Sequence, residues 1–137
     1  MEVLKRLLAV LFAVVGASLA VHFVLDPVLY DWESGQPVLW HVFDWARAVS
    51  LPLAVIVTYE AKRRSDAQAG VRELIEANLP LYLTVALTLL FYWNWVQVNW
   101  AAGDQTPDSQ VFVFIDVVLP LVFVPLGLRL WNESSSA

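Results

Sequence analysis

Four runs of apolar residues, separated by short polar stretches, take up most of the chain. The first follows the basic start Lys5-Arg6 and continues from Leu7 to about Leu25. The second covers Val38 to Ala61, the third Leu79 to Trp100 and the fourth Val111 to Trp131. At 1.5 Å of rise per residue, about twenty residues of helix cross the ~30 Å hydrocarbon core of a bilayer. Lipid offers no partners for backbone N–H and C=O groups, so a spanning segment of this kind must be helical. The pattern therefore predicts an all-α polytopic membrane protein. It has four transmembrane helices, at about residues 5–26, 39–61, 79–100 and 111–131, in one domain over residues 1–137.

The polar punctuation refines the picture. The basic start and the small residues Ser18 and Ala20 also fit a secretory signal peptide. The apolar run continues beyond that cleavage spacing through Val21, Phe23, Val24 and Leu25, which favours a retained helix ending at Pro27. Pro52 falls near the middle of the second run, where it predicts a kink with a freed carbonyl that a neighbouring helix must satisfy. Between the second and third runs, Val71, Leu74, Ile75 and Leu79 recur at helical spacing, with Arg72, Glu73 and Glu76 opposite them. This predicts a short interfacial helix on the cytoplasmic surface, with Asn78 capping the third span and Pro80 in its first turn.

Composition supports the membrane assignment: 59% of the 137 residues are hydrophobic and 15% charged, against roughly 45–50% and 25% in soluble domains. Cysteine is absent, which excludes disulfides, thiolate metal sites and cysteine nucleophiles. No G-x-S-x-G, H-E-x-x-H or phosphate-binding glycine loop is present. The basic run Lys62-Arg63-Arg64 abuts a span, so it reads as an anchor touching anionic lipid and not as a nucleic-acid surface.

The distribution of charge predicts orientation. Lys5, Arg6, Lys62, Arg63, Arg64, Arg72 and Arg129 fall on one face if the spans alternate, and only Arg47 falls elsewhere. The positive-inside rule then places both termini in the cytoplasm, as in a multi-pass protein of the cell (inner) membrane. The opposite loops carry Asp31, Glu33, Asp104 and Asp108, and six of the seven tryptophans lie at or near that outer side.

Arg47 is the residue that most needs an explanation. It lies about two turns into the second span, where an unpaired charge costs several kcal/mol. Counted from the outer ends at 1.5 Å per residue, His22, Asp44, Arg47, Asn94, Gln97 and Asp116 lie roughly 4–11 Å deep. Polar groups at one depth on several spans are expected to face inward and meet. Asp44, Arg47, Asn94, Gln97 and Asp116 are the candidate buried network, with Arg47 paired to Asp116 or to Asp44.

Three functions fit such a layer. The first is structural, in a small accessory, non-catalytic subunit of a larger membrane complex whose partners are the lipid bilayer and other integral-membrane subunits. The second is copper or zinc binding, because His22-x-x-x-Asp26 and His41-x-x-Asp44 each place an imidazole and a carboxylate on one helical face. The third is a small transporter or proton-path component using Asp44 and Asp116. The inner halves of the spans offer that path only Thr58, Glu60, Thr84 and Thr88.

Overall fold

The computed structural model describes residues 2–30, 37–65, 70–100 and 109–135. They form four helices: α1 (Glu2–Leu29), α2 (Val38–Ser65), α3 (Val71–Trp100) and α4 (Ser109–Ser135). All four are long and apolar enough to cross a membrane, so the chain is an all-helical, multi-pass membrane protein.

The helix ends depart from the sequence expectation in instructive ways. No separate interfacial helix precedes the third span, because Val71–Asn78 forms the first turns of α3 itself. Pro80 lies inside that helix and Asn78 is not its cap. The segment from 71 to 79 contains no glycine, and Arg72 Nε donates to Glu76 Oε1 at 2.7 Å across one exposed turn. Pro80 removes a single hydrogen bond, too little to separate two good helical segments. Similarly, α1 passes Pro27 and closes with the Tyr30 N–H donating to the Asp26 carbonyl at 3.1 Å. The Lys62-Arg63-Arg64 run belongs to the last turn of α2, where cations complement the negative end of the helix dipole. The expected polar tail continues α4 as far as Ser135, held by Arg129 Nε to Glu133 Oε1 at 2.8 Å and Ser134 Oγ to the Trp131 carbonyl at 2.8 Å. The acidic loop residues Asp31, Glu33, Asp104 and Asp108 lie outside the described residues.

The chain divides into two compact units, residues 1–47 with 116–137 and residues 48–115. In the first unit α1 and α4 run antiparallel at close range. A Cβ on Gly127 would lie 2.7 Å from the Ala9 carbonyl oxygen and 2.9 Å from the Ala13 nitrogen, and one on Gly16 would lie 3.0 Å from Phe123 Cβ. The small residues of α1 therefore face α4 of the same chain, as small-residue seams between membrane helices do. Phe12 and Phe123 pack with ring centroids 5.1 Å apart, and Arg6 Nη2 reaches the Ser134 carbonyl at 3.4 Å.

The second unit pairs the C-terminal part of α2 with α3, also antiparallel. Leu51, Ala54, Leu81, Leu87 and Phe91 are buried, and Phe91 stacks on Trp95 at 5.5 Å. The buried Thr58 and Thr84 hydroxyls lie 3.1 Å apart, each also within reach of a carbonyl in its own helix, Ala54 at 2.7 Å and Leu81 at 2.9 Å. A hydroxyl has one proton, so one of them donates across the helices while the other donates to its own backbone.

α2 is continuous through Pro52. Proline at 52 cannot bond the carbonyl of residue 48, and the Tyr92 hydroxyl from α3 donates to that oxygen at 2.6 Å. Tyr92→Phe is expected to cost about 1 kcal/mol with Pro52 present. In a Pro52→Ala background, whose new N–H reaches the Ala48 carbonyl, the same change should cost much less. Unfolding in mixed micelles on all four proteins measures this, and equal losses in both backgrounds would mean that the phenol stabilises by packing alone.

Candidate functional site

The first three turns of α2 carry Trp40, Asp44 and Arg47, whose i, i+4, i+7 spacing places them along one helical face. That face meets α1 and α4 within the first unit. Arg47 is 1% exposed, and Asp44 and Asp116 are 7% and 5% exposed. Arg47 Nη1 lies 2.9 Å from Asp116 Oδ1, and Nη2 lies 3.5 Å from Asp44 Oδ1. The shorter contact is a charge pair and not a well-aligned hydrogen bond, since the Asp116 oxygen lies off the N–H direction. The Arg47 guanidinium carbon sits 5.5 Å from the centroid of the Trp40 ring, within the range in which a cation is attracted to an indole face.

Trp40 links this pair to α1. Its Nε1–H donates to Asp26 Oδ1 at 2.7 Å, a charge-assisted bond that joins the end of α1 to the start of α2. One turn earlier on α1, the His22 ring lies 4.8 Å from Trp40, 4.9 Å from Phe43 and 5.3 Å from Tyr30, centroid to centroid. His22 is 6% exposed, and its Nε2 has no hydrogen-bond partner among the described residues. From α1 inward the order is an imidazole among three aromatic rings, a carboxylate on an indole N–H, and a guanidinium between two carboxylates.

The residues singled out from the sequence divide among several environments. Asp44, Arg47 and Asp116 come together. Asn94 is fully buried in the second unit, and Gln97 is half-buried there. The four candidate metal ligands are not one donor set: His41 is exposed on α2, Asp26 holds Trp40, Asp44 faces Arg47 and His22 is ringed by carbon. Among the described residues, no group of three or more His, Asp or Glu side chains could hold a metal ion. Copper or zinc therefore gains no support from the arrangement.

Sequence reasoning missed the parts played by Trp40, Phe43 and Tyr30. The spacing of Trp40 from Asp44 and Arg47 was a usable signal. The approach of Tyr30 and His22 depends on how α1 ends and had none. No family model, no curated protein and no solved structure matches the chain.

Proposed function

We propose that this chain is a small, non-catalytic integral-membrane subunit, a single domain of four spans, that assembles with other membrane proteins into a larger complex. The observation that carries the reading is the direction of its polar chemistry. The one Lys or Arg between Arg6 and Lys62, Arg47, is spent inside the first unit on Asp44 and Asp116. The exposed positions along the spans are largely apolar and aromatic, among them Val14, Val21, Trp45, Val49, Leu89, Trp93, Val117 and Leu121. A surface of this kind docks against lipid or against other spans by van der Waals packing.

In this reading both termini are cytoplasmic in a cell membrane. The amphipathic start of α3 lies along the inner interface with Arg72 and Glu76 toward water, and the aromatic ends of α2 and α3 meet a partner on the outer side. Native mass spectrometry after mild detergent extraction is expected to find the chain with larger subunits at fixed stoichiometry. A free monomer or a homo-oligomer would remove the accessory role. The chain has no cysteine, so single cysteines introduced at Lys5 and Gln110 report topology directly. Labelling of the Gln110 site but not the Lys5 site from outside intact cells is the expected pattern, and the reverse would invert the orientation.

A further inference from the structure

The eight Lys and Arg residues differ in whether they are already engaged. Lys5 lies 3.5 Å from Glu2, Arg6 reaches the Ser134 carbonyl, Arg47 faces Asp116 and Asp44, Arg72 holds Glu76 and Arg129 holds Glu133. Lys62 also has an interaction within the chain. Among the described residues, Arg63 and Arg64 have neither a hydrogen bond nor an ion pair, and both are exposed where the second span ends. The helix face leading to them is apolar, with one polar group set in it. Ile56, Tyr59 and Arg63 recur at i, i+3 and i+7, which places them along one face of α2. Ile56 is 58% exposed and Tyr59 53%, and the Tyr59 hydroxyl has no partner among the described residues. At 1.5 Å per residue, Tyr59 lies about 6 Å deeper in the span than Arg63, and Ile56 about 10 Å deeper. Phosphate, ester and acyl chain follow one another inward in the same order in a lipid leaflet.

We propose that this face of α2 binds an anionic phospholipid, with Arg63 and Arg64 on its phosphodiester, the Tyr59 hydroxyl on a glycerol ester and an acyl chain along Ile56. This is a particular site, beyond the general attraction of a basic run for charged lipid. Guanidinium groups match phosphate oxygens in geometry as well as in charge, and a tyrosine suits the level just beneath the headgroup. Arg64 flanks the face, and its long side chain brings a second guanidinium to the same headgroup. Lys62 adds a third positive charge beside the site. Glu60, one turn before the arginines, subtracts one but forms no ion pair with either. The surplus is positive, so a headgroup that carries its own cation, such as choline, is disfavoured. The site lies on α2 alone, and it holds in either orientation of the chain and whether or not the chain assembles with partners.

Native mass spectrometry of the full chain in mild detergent tests this, by titration with phosphatidylglycerol or with phosphatidylcholine of the same acyl chains. The first phosphatidylglycerol is expected to bind more tightly than the first phosphatidylcholine by about tenfold or more. Arg63→Gln and Arg64→Gln should each weaken it about fivefold, the scale of one basic residue near an anionic lipid surface, and Tyr59→Phe should weaken both lipids alike. Arg72→Gln and Arg129→Gln, whose guanidinium groups are held by glutamates, should leave it unchanged. All four arginines are exposed, so folding is expected to survive in each variant. Equal affinity for the two lipids overturns the proposal. So does an equal loss in all four arginine variants, because net charge alone would then be responsible. Displacement of the lipid by glycerol phosphate would reveal a site for free phosphate in its place and overturn it too.

Discussion

Arg47→Ala is expected to cost about 3–5 kcal/mol of folding stability, the range for breaking a buried ion pair from one side. The change removes the charge facing both Asp116 at 2.9 Å and Asp44 at 3.5 Å, leaves two acidic groups buried and opens the space under Trp40. Much of the loss comes from the abandoned carboxylates and not from the contacts themselves. A triple variant, Asp44→Asn with Arg47→Leu and Asp116→Asn, should therefore recover most of it, since replacing a whole buried charged network is often close to neutral. Reversible unfolding in mixed micelles would compare the three proteins. A loss of under about 1 kcal/mol for Arg47→Ala, the scale of an exposed pair, would mean that water reaches the cluster.

The second large effect belongs to the α1–α4 seam. Gly127→Ala is expected to destabilise by about 1–3 kcal/mol, as overpacking does, and Gly127→Val by more. The new methyl would meet backbone, the Ala9 oxygen at 2.7 Å and the Ala13 nitrogen at 2.9 Å, and backbone atoms cannot rotate aside. Gly16→Ala should be milder. Its contacts are longer, Phe123 Cβ at 3.0 Å, Val124 Cγ2 at 3.1 Å and the Val124 nitrogen at 3.4 Å, and of these the Val124 methyl can turn aside. Thermal unfolding of the two single variants gives the order directly. Equal or reversed losses would show that α1 and α4 separate more easily than their spacing implies.

How far the chain could be read from its sequence follows from which forces are local. Four spans were legible because bilayer thickness and backbone hydrogen bonding dictate length and helicity before any packing is considered. The meeting of Arg47 with Asp44 was legible from helical spacing, and Asp116 from its depth. The role of Pro52 was half legible. Proline chemistry names Ala48 as the carbonyl set free, but only the register of α3 against α2 brings Tyr92 to it. The boundary before the third span was misread because Asn78 and Pro80 are common at helix starts, and in this chain continuous helical propensity outweighs both. The environment of His22 was not legible, since it is made by two rings of α2 and by Tyr30 just beyond the end of α1. For the same reason the pairing of histidine with aspartate by spacing pointed to metal, while three dimensions surround His22 with carbon and leave His41 exposed.

The position of Arg47 also bears on how the chain is made. α2 is the least apolar of the four spans, and it leaves the ribosome well before Asp116 exists. During that interval its charge has one carboxylate close at hand, Asp44, a single turn earlier on the same helix. A nascent α2 thus brings its own counter-ion into the translocation channel, which lowers the barrier to lateral release into lipid. Asp116 arrives with the last helix and completes the pairing only when synthesis is nearly over. The two carboxylates therefore serve successive moments in the biogenesis of one arginine, the first as escort and the second as latch.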